Sequence, residues 1–338
     1  MDGVQVQENI SLKSHNTFGI EVTAKYFAVA KSASDLQAIL EQYKNEPRLI
    51  LGGGSNVLFT KPFDGLVLKN EIAGIEVVKE DDDFVYVKAG AGESWHRFVE
   101  YCVENNFAGA ENLSLIPGSV GASPMQNIGA YGVEIKDIFH ELEALHIETG
   151  VTRTFDLDEC QFGYRESIFK KDLKNQFIIT SVTYKLRKIP VFNTSYGAIQ
   201  QELDAMGVKE LSIGAISQAV INIRTSKLPD WKIVGNAGSF FKNPQVTQEK
   251  YAALKADYPA IAAYPQNEGM KLAAGWLIEH CGWKGFREGD AGCYPKQALV
   301  LVNYGGATGS QIFELSEKII QSVKDKFGVT LEREVNVI

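Results

Sequence analysis

Several common functional signals are missing from this sequence of 338 residues. Its four cysteines show neither a CxxC pair nor zinc-ligand spacing, so we expect reduced thiols and no metal site. No apolar run approaches the roughly 20 residues that a membrane-spanning helix requires. The segment MDGVQVQENI has neither a basic start nor an apolar core, which argues against a secretory signal. These absences predict a cytoplasmic protein.

Positive charge is also scarce. The chain has 34 lysines and arginines against 42 acidic residues, for a formal net charge of -8. This balance argues against nucleic acid as the main partner, because phosphate backbones bind to positive surfaces. A local basic pocket can still hold a small anionic substrate. No GxxxxGK[ST] segment occurs, which disfavours a nucleoside triphosphatase.

The hydrophobic patterning predicts an α+β protein of two or three domains, with boundaries near residues 74 and 228. An early helix is expected from Ser34, with Gln37 completing a capping box. Apolar residues alternate on both sides of the acidic turn Asp81–Asp83, which predicts a β-hairpin. The final segment VTLEREVNVI alternates like a strand whose partner lies elsewhere in the chain.

Glycine is concentrated in four loops of the first 135 residues, each after an apolar segment. Glycine adopts positive φ and exposes peptide N–H groups, so such loops favour a pyrophosphate-bearing cofactor held by main-chain amides. The second loop fits only the start of the GxGxxG fingerprint, since Trp95 replaces its third glycine. The loops are LGGGSN, GAGESW, IPGSVGASP and QNIGAYG.

One further segment, NAGSFFKNP, places Ser239 between a glycine and two phenylalanines. Glycine–serine pairs usually form turns. A nucleophilic serine is disfavoured, because neither a GxSxG context nor a neighbouring histidine is present. From these residues alone, the hydroxyl is either a turn residue or a reactive group.

Together, the motifs resemble those of the UDP-N-acetylenolpyruvoylglucosamine reductase (MurB) family, flavoenzymes of bacterial cell-wall synthesis. No single motif is specific, but they follow the family's order from residue 16 to 335 and cover nearly the whole chain. The segment NTSYGAIQQEL resembles the type I branch. The motifs are NTFGI (16–20), LGGGSNVLF (51–59), GAGESW (90–95), IPGSVGASPMQNIGAYGVEI (116–135), FGYRES (162–167), RTSKLPD (224–230), NAGSFFKNP (236–244), KLAAGWLIE (271–279) and LEREV (331–335).

The resemblance implies an FAD-binding fold of the vanillyl-alcohol oxidase and p-cresol methylhydroxylase type, with two α+β subdomains and an α+β substrate-binding domain. The expected domains are 1–73, joined by the C-terminal strand 329–338, then 74–228 and 229–328. The first glycine loop lacks the histidine to which related enzymes attach flavin, so non-covalent FAD is expected. The implied cofactor-binding residues are Gly52, Gly53, Gly54, Ser55, Asn56, Pro117, Gly118, Ser119, Gly121, Ala122, Gln126, Asn127, Gly129, Ala130, Tyr131 and Gly132.

The implied reaction is the NADPH-dependent reduction of UDP-N-acetylglucosamine enolpyruvate to UDP-N-acetylmuramate, a peptidoglycan precursor. Hydride passes from N5 of reduced FAD to the terminal carbon of the enolpyruvyl double bond, and charge develops on the adjacent carbon and its carboxylate. Arg165 is implied to bind that carboxylate through its guanidinium fork. Glu334 helps if it is protonated and donates a hydrogen bond. Ser239 is implied to donate the proton that completes the reduction.

The resemblance also implies a set of substrate contacts. Tyr196 closes over the diphosphate, while Lys227 and Asn243 bind its oxygens; Tyr164, Lys271 and Gln297 complete the pocket. The sequence departs from many relatives at Arg333, where they have proline, and at Gly53, where others have glutamate. The first departure adds a positive charge beside Glu334. Two alternatives remain open: an FAD-dependent alcohol or sugar oxidase of the same fold, and a flavin-binding regulatory protein that has lost catalysis.

Overall fold

The computed structural model describes residues 5–266 and 269–338. Residues 1–4, which begin the segment tested above for a secretory signal, lie outside the described residues. The described residues form seven α-helices, and none of these is long and apolar enough to cross a membrane. The helices are α1 (Ala33–Gln42), α2 (Trp95–Glu104), α3 (Gly197–Ala205), α4 (Ile213–Lys227), α5 (Gln248–Asp257), α6 (Ala274–His280) and α7 (Gly309–Phe327).

Twenty short strands account for the sheets of the described residues. They are β1 (Val6–Ser11), β2 (Thr23–Ala30), β3 (Arg48–Leu51), β4 (Val57–Leu58), β5 (Phe63–Asn70), β6 (Ile75–Glu80), β7 (Phe84–Gly90), β8 (Gly129–Ala130), β9 (Val133–Glu134), β10 (Phe139–His146), β11 (Thr152–Asp156), β12 (Phe177–Arg187), β13 (Gly235–Ser239), β14 (Gln245–Val246), β15 (Ala263–Gln266), β16 (Gly269–Leu272), β17 (Arg287–Glu288), β18 (Ala291–Cys293), β19 (Val300–Asn303) and β20 (Asn336–Val337).

The chain divides into two compact units. Among the described residues, the first contains 5–10, 24–53 and 63–226, and the second contains 11–23, 54–62, 227–266 and 269–338. Each unit is therefore assembled from segments that are distant in sequence. The division into three domains expected from the sequence stays a prediction.

In the first unit, a four-stranded sheet has the order β1-β2-β5-β3, and β5 runs parallel to both β2 and β3. Helix α1 buries Leu36 and Ile39 in the core of this sheet. The hydroxyl of Ser32 caps the helix by accepting a hydrogen bond from the backbone N–H of Asp35. The predicted start at Ser34 is therefore wrong by two residues, because the earlier of the two serines, Ser32, supplies the cap and Ser34 lies inside the helix.

A second, antiparallel sheet of the first unit has the order β11-β10-β12-β7-β6. Strands β6 and β7 pair directly, which confirms the hairpin predicted around the acidic turn. Helix α2 packs on this sheet through Trp95 and Phe98, whose rings lie 5.6 and 4.5 Å from that of Tyr184. All three side chains are fully buried, and burial of each large apolar side chain contributes about 2–3 kcal/mol.

The second unit contains the antiparallel sheet β13-β19-β18-β17 and the smaller sheet β14-β16-β15. Helix α7 begins at a capping box formed by Thr308 and Gln311, and it ends at Gly328, whose φ is 62°. The continuous strand predicted over 329–338 is wrong, since only Asn336–Val337 form a strand, parallel to β4. The C-terminal segment changes partner along its length, because Glu332 and Glu334 first bond the chain around Phe240.

Candidate functional site

The first and third glycine loops meet within the first unit. A Cβ added to Gly52 would collide with Oγ of Ser119, and one added to Gly53 would lie 2.8 Å from Cα of Gly118. Real Cβ atoms do not approach other atoms so closely. Glycine is therefore required at position 53, where the two backbones come into direct contact, while a Cβ at position 52 would displace the Ser119 hydroxyl.

The second glycine loop runs beside the third. Ala91 O accepts a hydrogen bond of 2.9 Å from Gly121 N, and Trp95 N donates one of 3.0 Å to Gly118 O. A Cβ on Gly121 would lie 2.5 Å from Cβ of Ala91. Three loops that are far apart in sequence thus form one surface of exposed backbone.

The fourth glycine loop carries two residues with left-handed backbones. Asn127 has a φ of 44° and Tyr131 a φ of 50°, although neither is glycine. The buried Asn127 side chain donates to Gly163 O and to the Glu134 carboxylate, both at 3.0 Å. A strained residue of this kind costs on the order of 1–3 kcal/mol and persists where surrounding contacts determine the backbone, often at functional sites.

Arg165 lies at the tip of a turn closed by a bridge between Gly163 and Glu166, and its own φ is 55°. Its Nη2 donates a hydrogen bond of 2.8 Å to Gly129 O in the fourth glycine loop. The guanidinium also lies 5.4 Å from the ring of Tyr164, which is 39% exposed. The structure thus brings two predicted site residues, Arg165 and Tyr164, against a predicted cofactor-binding loop.

Tyr196 is the residue immediately before α3, and it is 44% exposed. It packs edge-on against Tyr131, with ring centroids 5.3 Å apart. The amide of Asn112 holds the two segments together by donating to Tyr131 O and Asn193 O at 3.0 and 2.9 Å. Asn112 is buried and was missed in the sequence analysis, since nothing in the local sequence marks it as a cross-link.

In the second unit, the segments that carry Ser239 and Glu334 are neighbours. Glu334 N donates a hydrogen bond of 2.8 Å to Phe240 O, and Lys242 N donates one of 2.9 Å to Glu332 O. Ser239 is exposed at the end of β13, where it pairs with Val300. Among the described residues, no hydrogen bond involves its hydroxyl.

The guanidinium of Arg333, the residue at which the chain departs from many relatives, bonds side chains of α7. Its Nε donates to Ser316 Oγ at 2.8 Å, and its Nη2 bonds the carboxylate of Glu317. The guanidinium also lies 4.4 Å from the ring of Phe313. The positive charge that the sequence places beside Glu334 is therefore paired with a carboxylate on the helix.

Three predicted substrate-binding residues surround the first turn of α6. Asn243 Oδ1 accepts a hydrogen bond of 2.9 Å from Ala274 N, and Lys271 lies on β16, two residues before Ala273. Gln297 Oε1 would lie 3.1 Å from a Cβ on Gly275. Lys227 is exposed at the end of α4, and no hydrogen bond or ion pair among the described residues joins it to these three.

The remaining predicted residues follow the same division. In the second unit, Asn56 donates from Nδ2 to Glu334 O at 3.3 Å, next to Ser55 and the left-handed Gly54. In the first unit, Pro117 and Ala122 lie in the third glycine loop, and Gln126, Ala130 and Gly132 lie in the fourth. Arg224 of the RTSKLPD motif was missed, although its place in that motif was a usable signal.

The residues of the first unit fit a dinucleotide cofactor. Glycines stand where the loops cross so tightly that a Cβ would collide, which leaves bare backbone of the kind that cradles a pyrophosphate. Such a cradle needs few cationic side chains, because main-chain amides bind the anion. FAD would lie against these loops, with Arg165 at one border.

Comparison with known proteins gives two family matches. Residues 229–338 match the C-terminal domain of UDP-N-acetylenolpyruvoylglucosamine reductase, and residues 24–156 match an FAD binding domain. Together these matches cover both units in part and support FAD as the cofactor.

Full-length relatives carry the same name. UDP-N-acetylenolpyruvoylglucosamine reductase of Flavobacterium johnsoniae is 53% identical over 99% of this chain and 100% of its own. That of Amoebophilus asiaticus is 51% identical, again over 99% of this chain and 100% of its own.

A solved structure, UDP-N-acetylenolpyruvylglucosamine reductase (MurB) from Thermus caldophilus, covers 99% of both chains with a TM-score of 0.67 and 24% identity. This likeness concerns the fold, and with the FAD-binding match it confirms the predicted α+β FAD-binding fold. The predicted FAD cofactor and oxidoreductase class are confirmed as well. The chain therefore belongs to the UDP-N-acetylenolpyruvoylglucosamine reductase family, FAD-binding oxidoreductases of peptidoglycan precursor synthesis.

Proposed function

We propose that this protein reduces UDP-N-acetylglucosamine enolpyruvate to UDP-N-acetylmuramate with NADPH as reductant and non-covalent FAD as cofactor. The observation that carries the proposal is the pairing of Glu334 with Phe240, because it makes Ser239 and Glu334 neighbours in space. The full-length relatives support the choice of reaction. Reducing such a double bond requires a proton donor and a group that accommodates charge.

Bound against the glycine loops, FAD would supply to the enolpyruvyl double bond a hydride that derives from NADPH. Negative charge then develops on the substrate, at the carbon next to its carboxylate. In our proposal Arg165 binds this carboxylate, since a guanidinium stays charged and offers two parallel donors. Its left-handed backbone and its bond to Gly129 O support a fixed orientation for the side chain. A fixed donor at a site of developing charge contributes about 10²–10³ in rate.

Ser239 is proposed as the proton donor to the substrate carbon. A hydroxyl is a weak acid, but a carbanion is a strong base, so a well-placed hydroxyl suffices. Two features support the role: Ser239 is exposed, and within the described residues its hydroxyl is not engaged in a hydrogen bond. The left-handed Gly238, with a φ of 69°, sets the direction in which the chain enters Ser239.

Glu334 is proposed to act beside Ser239 as a hydrogen-bond donor, and this requires it to hold a proton while the substrate is bound. The pairing of Arg333 with Glu317 supports that role, because the Glu317 carboxylate neutralises the positive charge that Arg333 places next to Glu334 in the sequence. Without that pairing, the cation would favour the ionised carboxylate.

The substrate diphosphate is assigned to Tyr196, Lys227 and Asn243, with Tyr164, Lys271 and Gln297 as further pocket residues. The position of Asn243, Lys271 and Gln297 around the start of α6 supports a shared pocket, since helix N-termini favour anions.

All four cysteines are free, which supports a cytoplasmic location.

An anaerobic experiment tests the proposal. The purified protein is first reduced with NADPH, which bleaches the flavin absorbance, and UDP-N-acetylglucosamine enolpyruvate is then added. We expect rapid recovery of the absorbance together with formation of UDP-N-acetylmuramate. A flavin that stays reduced under these conditions would refute the assigned substrate. Bleaching of the oxidised flavin by a simple alcohol or sugar in place of NADPH, followed by recovery of the absorbance in air, would favour an oxidase.

A further inference from the structure

The peptide unit of Leu115 is held from both ends by side chains. Its N–H donates a hydrogen bond of 3.0 Å to His96 Nδ1, and its C=O accepts one of 3.2 Å from Arg224 Nε. Leu115 has a left-handed φ of 58°, although it is not glycine. All three residues belong to the first unit. No role for His96 or Arg224 follows from the site described so far.

Leu115 stands at the entrance to the third glycine loop. Residues 116–122 follow it directly, and they contact the first loop at Gly52 and the second at Ala91. His96 is the second residue of α2, next to Trp95, whose N–H bonds Gly118 O. The contact between His96 and Leu115 therefore extends the pairing of the second and third loops by one more bond.

Arg224 approaches the same peptide from α4. It is largely desolvated, which lowers the pKa of its guanidinium, and its interaction with the Tyr131 hydroxyl acts in the opposite direction. Tyr131 belongs to the fourth glycine loop, so Arg224 joins the third loop to the fourth. An arginine held by a carbonyl and a phenol makes directional bonds, in place of the carboxylate pair usual for this residue.

We propose that His96 and Arg224 are positioning residues that hold Leu115 in its left-handed conformation and so keep the third glycine loop shaped for the flavin. This rests on the proposed function only in placing FAD against residues 117–122. A left-handed leucine is disfavoured by contact of its Cβ with the following carbonyl, so it reverts unless other bonds offset that cost. One of the two bonds here has a charged donor and is the stronger kind.

We call the two side chains, His96 and Arg224, with the Leu115 peptide that they hold, the Leu115 clamp. This clamp requires a neutral imidazole, because Nδ1 of His96 must accept a hydrogen bond. Burial lowers the pKa of His96, which favours the neutral form; the nearby Arg97 and Arg224 act in the same direction and Glu100 opposes them. The remaining proton then lies on Nε2, which faces Glu100 at 3.7 Å. An asparagine at position 96 would retain an acceptor near the place of Nδ1, while a leucine would fill the space without one.

FAD affinity of the apoprotein is the appropriate measurement, taken by titration with quenching of flavin fluorescence. We expect His96→Leu to weaken FAD binding about threefold to tenfold, the effect of one lost hydrogen bond, and His96→Asn to stay within about twofold of wild type. Arg224→Lys, which loses the Nε donor, should weaken binding similarly. Glu104→Leu is the control, since Glu104 is exposed at the end of α2 and takes no part in these contacts, and it should bind FAD normally.

A second arm tests the strain. Glycine adopts a φ of 58° without cost, so adding Leu115→Gly to His96→Leu should recover at least half of the lost affinity. The effects of His96→Leu and Arg224→Lys should be non-additive, because both act on one peptide. Leu115→Gly alone should bind FAD at least as well as wild type, which keeps the test decisive if His96→Leu does not fold.

The proposal fails if His96→Leu binds FAD as wild type does, if His96→Asn is as weak as His96→Leu, or if Leu115→Gly weakens binding and restores nothing. The readout separates this inference from the proposed reaction. A wild-type protein that binds FAD but ignores the enolpyruvyl substrate refutes the reaction and leaves the clamp standing. Normal turnover with unaffected FAD affinity in all variants refutes the clamp alone.

Discussion

The two units of this protein differ in the kind of group to which a function is assigned. The first unit uses main chain: glycines cross where a Cβ has no room, and Asn127, Tyr131 and Arg165 adopt left-handed conformations. The second unit uses side chains on an ordinary framework, where Ser239 and Glu334 come together through backbone pairing. A main-chain site should fail when atoms are added, and a side-chain site when a functional group is removed. Each prediction below tests this difference.

The largest effect is expected for Ser239→Ala in the second unit. Removing a proton donor should slow reoxidation of the reduced flavin by the substrate by about 10²–10⁴. Reduction of the flavin by NADPH should change little, and so should stability, because the side chain is exposed. Stopped-flow measurement of the two half-reactions separates these rates. Equal slowing of both would assign Ser239 another role and weaken the contrast between the units.

Arg165→Lys tests the exception to this difference, because Arg165 lies in the first unit but its proposed role belongs to its side chain. Lysine keeps the charge but loses the planar fork and the bond to Gly129 O, so kcat/KM should fall by about 10²–10³. Flavin content should stay normal. Arg153→Lys is the control, since Arg153 pairs with Glu159 in the same unit at an exposed position. Loss of flavin from Arg165→Lys alone would place this arginine in the main-chain site.

Gly121→Ala should damage the first unit without removing any functional group. The new Cβ would lie 2.5 Å from Cβ of Ala91, and overpacking of this kind costs about 1–3 kcal/mol. We expect FAD affinity of the apoprotein to fall about tenfold. Gly197→Ala is the matched control, because no atom lies within 4 Å of its added Cβ and its φ is not positive. Equal FAD affinity in both variants would show that the loops can accommodate an added Cβ at position 121.

The same difference explains what the sequence could predict. The hairpin of β6 and β7 and the glycine loops are local patterns, and they were found where they were predicted. The C-terminal strand was overpredicted, because alternation does not reveal that the chain changes partner after Glu334. Asn112 was missed for a related reason: it bonds carbonyls that are distant in sequence, and any buried amide would look the same. Arg224 also bonds a distant carbonyl, and only its place in the RTSKLPD motif marked it.

The smallest effect is expected for Arg333→Met, which removes a side chain that touches α7 and no proposed substrate contact. Its bonds to Ser316 and Glu317 fix the segment before Glu334, but Glu317 is 54% exposed, so solvent screens the ion pair. We expect kcat/KM to fall about twofold to fivefold while FAD content and flavin reduction by NADPH stay unchanged.

Arg287→Met is the matched control for this last effect, because Arg287 likewise pairs with a carboxylate, that of Asp290, and stacks on an aromatic ring in the second unit. It should leave steady-state kinetics at the wild-type level. If Arg333→Met also does so, the main-chain hydrogen bonds of Glu332 and Glu334 to the segment around Phe240 suffice to fix the catalytic segment. The second unit would then depend on backbone for positioning as much as the first, and the contrast would be confined to the groups that perform the chemistry.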